Sequence, residues 1–234
     1  MRLAGLLGLV VAALAGAKDA PLHIEQAKKA AFTGYSDDAK AERVWEIRAE
    51  RLQPETDPEK PGAWSMEQLT LTTFRDGKPG ATFRTARGVA EPDRRAAGGA
   101  EPVTVQSSNF DLVGTGWNWR GTAKGDTFAI LSAVHATLAP RAPGEPPIQV
   151  SANRVDVTSD DKGGDVLTFS GDILLIRGGE RLSCESVECA MASGFGSCQR
   201  LVARGRVLHV DGARALSADE LVHDLKAGQI DLLG

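Results

Sequence analysis

The chain is 234 residues long, 42% hydrophobic and 25% charged, with 27 Lys plus Arg against 31 Asp plus Glu and a net charge of −4. That composition excludes a disordered chain and a multi-span membrane protein, and the acidic balance lacks the basic footprint of a nucleic-acid binder. Aromatic residues make up only 5%, so aliphatic side chains must build the core.

The first element is an address. Met1 and Arg2 precede an uncharged apolar run, Leu3 to Ala17, which closes on Ala15-Gly16-Ala17 before Lys18. A basic start, a short apolar run and small residues at its end predict a signal peptide over residues 1–17, cleaved after Ala17. The run is shorter than the roughly 20 residues a spanning helix needs, so an uncleaved short anchor is the lesser reading. Residue 18 onward is expected outside the cytoplasm, in the periplasm if the cell has one.

One short helix is expected between Leu22 and Ala31. After it the pattern changes to a period of two, as in Val44-Trp45-Glu46-Ile47-Arg48-Ala49, Gln68-Leu69-Thr70-Leu71-Thr72 and Pro147-Ile148-Gln149-Val150-Ser151-Ala152. Alternation of this kind marks half-buried strands. Loop composition falls at Pro54–Gly62, Glu91–Pro102 and Ala139–Pro147, the last with four prolines. The chain is therefore expected to be all-β, with portions 18–140 and 147–234 probed for a boundary at the prolines but read as one continuous fold.

An internal repeat carries more information. At an offset of 34 residues Gly171 meets Gly205, Gly178 meets Gly212, Leu182 meets Leu216, Ser183 meets Ser217, and Cys184 takes the slot of Ala218. A shorter form, apolar-x-small-x-x-apolar, recurs as Ile47-Arg48-Ala49-Glu50-Arg51-Leu52 and Val150-Ser151-Ala152-Asn153-Arg154-Val155. The first apolar residue and the small residue share one strand face. The next apolar residue falls on the opposite parity, which predicts a bulge just after the small one. Gly178 and Gly212 then serve hairpin turns. Stacked hairpins would merge their stripes into a trough lined by Ile47, Ala49, Val150, Ala152, Leu182, Cys184, Leu216 and Ala218. Cys184, Cys189 and Cys198 lie too far from His for a zinc pattern. Cys189 and Cys198 flank Gly194-Phe195-Gly196, a turn signal, and are expected to form a structural disulfide.

On these residues the chain resembles a known pair of families. Phe169-Ser170-Gly171-Asp172-Ile173, Ala203-Arg204-Gly205-Arg206-Val207, Leu216-Ser217-Ala218-Asp219-Glu220-Leu221 and Gln229-Ile230-Asp231-Leu232-Leu233-Gly234 resemble the OstA-like domain of the LptA family. Trp45-Glu46-Ile47-Arg48-Ala49-Glu50, Leu71-Thr72-Thr73-Phe74-Arg75-Asp76-Gly77 and Thr85-Ala86-Arg87-Gly88 are similar to the LptC family. The resemblance implies a twisted, stacked antiparallel β-jellyroll, or β-taco, whose apolar interior carries acyl chains of lipopolysaccharide between inner and outer membrane. It also implies partners of the same build, joined through edge strands, or an end-to-end homo-oligomer. A non-ligand structural or assembly module of the cell envelope is the alternative.

The residues offer little to catalysis. His23, His135, His209 and His223 are scattered, and no Ser sits in a Gly-x-Ser-x-Gly elbow. Asp160-Asp161 adjoins Lys162-Gly163-Gly164 and reads as a turn, and Gly114-Thr115-Gly116 has no following helix to cradle a phosphate. Trp117-Asn118-Trp119 places two indoles on one face, read as core packing or a cross-strand pair ahead of a stacking surface for lipid or sugar. No enzyme activity, cofactor, metal or nucleic-acid partner is expected.

Overall fold

In a computed structural model the described residues are 27–36, 42–56, 62–122, 125–140, 142–159, 164–192 and 197–234. The segment 1–26, and the expected turns at 160–163 and 194–196, lie outside them. The strands are β1 (Ala27–Tyr35), β2 (Arg43–Pro54), β3 (Trp64–Arg75), β4 (Lys78–Glu91), β5 (Ala96–Ser107), β6 (Phe110–Thr122) and β7 (Gly125–Leu138). They continue as β8 (Ile148–Ala152), β9 (Arg154–Ser159), β10 (Asp165–Arg177), β11 (Glu180–Met191), β12 (Cys198–Asp211), β13 (Arg214–Asp224) and β14 (Gln229–Leu233). A single 3-10 turn, Pro92–Arg94, interrupts them.

All fourteen strands belong to one antiparallel sheet that follows chain order, with β8 and β9 each bridging β7 and β10. The fold is all-β and jellyroll-like. The hydrogen-bonded order runs unbroken past the prolines of 139–147. Two local expectations fail. Residues 27–31 begin strand β1, not a helix, because pairing with β2 satisfies their backbone. Ala96–Pro102 is strand rather than loop, its small residues held between β4 and β6.

Nearly every long strand breaks its register once near its middle. Shifts fall between Thr85 and Val89, Gly99 and Pro102, Val113 and Thr115, Ser170 and Ile173, Ser183 and Ser186, and Arg204 and Val207. Left-handed backbone marks the same level: φ is 53° at Lys29, 51° at Gln68, 52° at Ala133, 77° at Gly171 and 79° at Gly205. A shift follows the small residue as expected at Cys184 and Ala218, whereas the Ile47–Leu52 copy of the motif keeps its register with both neighbouring strands, so no bulge follows Ala49. Aligned strand by strand, the shifts form a crease across the sheet, since each bulge bends and twists its strand.

The sheet folds along this crease into two leaves that face each other. Contacts between strands far apart in the sheet order prove the closure: the rings of Trp45 and Trp119 lie 5.8 Å apart, and those of Phe83 and Phe128 lie 4.8 Å apart, edge to face. One contiguous cluster of buried apolar side chains fills the space between the leaves. Trp117 and Trp119 both belong to it, as the core-packing reading expected. Trp117 fits because it lies against glycine: a Cβ at Gly88 or Gly99 would come within 3.0 or 3.1 Å of the indole.

Candidate functional site

The inner face can be followed residue by residue, because directly paired residues share a face. Along the first leaf the pairs run Phe32, Ile47, Leu71, Phe83, Val105, Leu112, Ala136, Val150, Leu175, Leu182, His209, Leu216. Along the second leaf they run Trp64, Ala90, Ala97, Trp119, Phe128, Val157, Leu167, Cys189, Leu201, His223, Ile230. Both rows are buried through their middle and emerge at the same end. Ile47 is 1% exposed, whereas Leu216 is 48% and Ile230 45% exposed. Each row therefore finishes on a histidine followed by an open aliphatic residue.

That end is a cleft. Leu175, Leu182 and His209 line it from the first leaf, and Leu201, Leu221, His223 and Ile230 from the second, around a cavity of about 50 Å³. It continues into a larger, more polar space of about 270 Å³ beside Pro146, Ile148, Cys198 and Leu225. The rim is mixed in sign: Arg177 pairs with Glu145 at 3.4 Å, and Glu180 stands alongside. The cleft exists because β14 pairs only with residues 220–224 of β13, leaving residues 214–218 as an open edge on the opposite leaf.

The eight residues read from the motif divide accordingly. Ile47, Ala49, Val150 and Ala152 are buried in the packed core. Leu182 and Cys184 are buried where the core meets the cleft, Ala218 is half-buried and Leu216 is exposed at the mouth. All lie on the inner face, and the interior they share is filled by side chains along most of its length. Sequence reasoning missed His209, His223 and Ile230 as mouth residues. The 34-residue repeat could have found His209, which sits in the strand preceding Leu216.

The cysteines depart from expectation. All three are free thiols, so the Cys189–Cys198 disulfide is not formed here. The direct partners of Cys189 and Cys198 are Leu201 and Met191, which sets the two cysteines diagonally across the β11–β12 pair. The Cys189 thiol hydrogen-bonds to Cys198, which together with burial holds Cys189 well above the ordinary thiol range and draws Cys198 down. Burial also pushes Cys184 up to about 11. A thiol held protonated in this way is a poor nucleophile.

Among the described residues there is no group of three or more side chains suited to a metal ion, and no helix is long and apolar enough to cross a membrane. No family model matches the chain, and no curated protein matches it.

Proposed function

We propose that this protein is a lipid-binding module of the cell envelope, which takes acyl chains between its leaves at the C-terminal mouth and resembles a component of the lipopolysaccharide transport bridge. The observation that carries the reading is that both apolar inner rows emerge at the same end, where Leu182, His209, His223 and Ile230 line one cleft and Leu216 stands exposed on the next strand. Burying each methylene contributes roughly 0.8 kcal/mol, so a twelve-carbon chain gains on the order of 9 kcal/mol there. Along a row of equivalent aliphatic contacts, sliding by one register exchanges like for like. Net direction is then supplied from outside the chain, by an energy-consuming pump.

Passage, secretion through the 1–17 segment, a periplasmic site and edge-strand association with similar β proteins all belong to this proposal. Association is supported by the uncovered edges of β14 and of residues 214–218. A specific observation favours a second reading: the packed core between β2 and β11 is what an assembly or scaffold module of the envelope would have.

In-cell photo-crosslinking from position 216 separates the two. Position 220 is the control, since Glu220 faces outward and pairs with Arg204 at 2.7 Å. A lipopolysaccharide adduct at 216 and none at 220 supports the lipid reading. Crosslinks at 216 to protein alone, or none, support the scaffold.

A further inference from the structure

The two leaves are joined by continuous backbone pairing only at the crease; on the opposite side they meet through side chains. Arg75, at the end of β3 on the first leaf, and Asp165, at the start of β10 on the second, sit on that seam. The guanidinium donates two hydrogen bonds to the carboxylate, Nη1 to Oδ2 at 3.0 Å and Nη2 to Oδ1 at 2.9 Å. The pair spans 90 residues of sequence, and the Asp165 carboxylate is fully buried. Asp126, at the start of β7, faces the same pair, as does Arg95 beyond the 3-10 turn. Beneath it lies the Trp45–Trp119 contact between the leaves.

We propose that Arg75 and Asp165 form a releasable clasp along this seam, so that the leaves part there and give a lateral way into the interior. That the lateral way serves a lipid rests on the reading above; the clasp itself does not. A buried ion pair contributes little over an apolar pair of similar volume, but both its charges regain water when it separates. The Arg75–Asp165 pair is thus a cross-leaf contact at the seam that water competes for. The aromatic contacts below it gain nothing from opening.

The indole N–H of Trp119 faces the Asp126 carboxylate, whereas those of Trp45 and Trp117 are buried without a hydrogen-bond partner. Their exchange with deuterium thus needs access of water and no broken hydrogen bond, and each gives its own resonance in a 15N-labelled full-length protein. Arg75→Gln and Asp165→Asn should each speed exchange at Trp45 at least tenfold, ahead of the amides of the buried strands. The double variant Arg75→Met/Asp165→Leu, which replaces the clasp with an apolar seam, should exchange no faster than the parent. Unchanged indole rates in folded single variants would overturn the clasp. So would acceleration in step with the core amides, or a folded double variant that exchanges faster than the parent. A failed lipid reading leaves these rates as expected, so the two failures are distinguishable.

Discussion

Asp126 is held in a place that does not suit a carboxylate. Burial raises its pKa from 3.8 to about 6, Arg75 opposes the rise, and the Asp165 charge adds to it. Because the folded value lies above the unfolded one, the folded state holds the proton more tightly. The penalty is absent below about pH 4, grows between pH 4 and pH 6, and is complete above. A shift of about 2 units corresponds to roughly 3 kcal/mol. Asp126→Asn should therefore raise stability near pH 7 by up to that amount and flatten the fall in stability between pH 4 and pH 6, as followed by urea unfolding at stepped pH. An unaltered pH profile would mean that Asp126 is solvated. Nothing in the sequence singled out Asp126, Arg75 or Asp165. Their pairing depends on which strands face each other across the fold, and neither periodicity nor spacing encodes that.

At the scale of the element, the crease is the device that converts a long meander into two packed leaves. Gly171 and Gly205 occupy equivalent bulges 34 residues apart, one hairpin apart in the sheet, at φ 77° and 79°. A Cβ at Gly171 would come within 2.9 Å of the Asn153 Cβ, and one at Gly205 within 2.9 Å of the Glu185 Cβ. Gly205→Ala should cost about 1–2 kcal/mol from the left-handed backbone alone, measured by thermal or chemical melting, with the crowding against Glu185 added. Gly178 and Gly212, at φ 58° and 55°, turn the β10–β11 and β12–β13 hairpins as the repeat required. The repeat was readable because each unit solves the same local problem with the same residues. Residues 27–31 and 96–102 misled for the converse reason. Helix propensity over 27–31 and loop composition over 96–102 are weak local preferences, and pairing with neighbouring strands outweighs them.

At the scale of the whole molecule, the mouth is the feature on which the proposed function turns. Leu216 lies on the inner face yet is exposed, so Leu216→Asp should leave the melting temperature within a degree or two of the parent while abolishing the lipid adduct of a photo-crosslinker placed at Ile230 in the cleft. Differential scanning calorimetry beside the crosslinking assay checks both halves; a large drop in stability would make Leu216 a core residue after all. The same charge at Leu182, which is buried beside it, should unfold the C-terminal hairpins instead.

The sequence by itself determined the all-β class, the alternation of faces along the strands, the bulges after Cys184 and Ala218 and the hairpin glycines. Each of these follows from side-chain parity and backbone sterics within one strand or one turn, and such rules act over a few residues. Only the tertiary structure decided that the interior is packed through its middle and open at one end. It also decided that the open end is framed by His209 and His223, and that Arg75 reaches Asp165 across the seam. Those outcomes depend on how far the sheet bends at the crease and where its last strands stop pairing. Both are settled by contacts between leaves that the chain brings together only once it has folded.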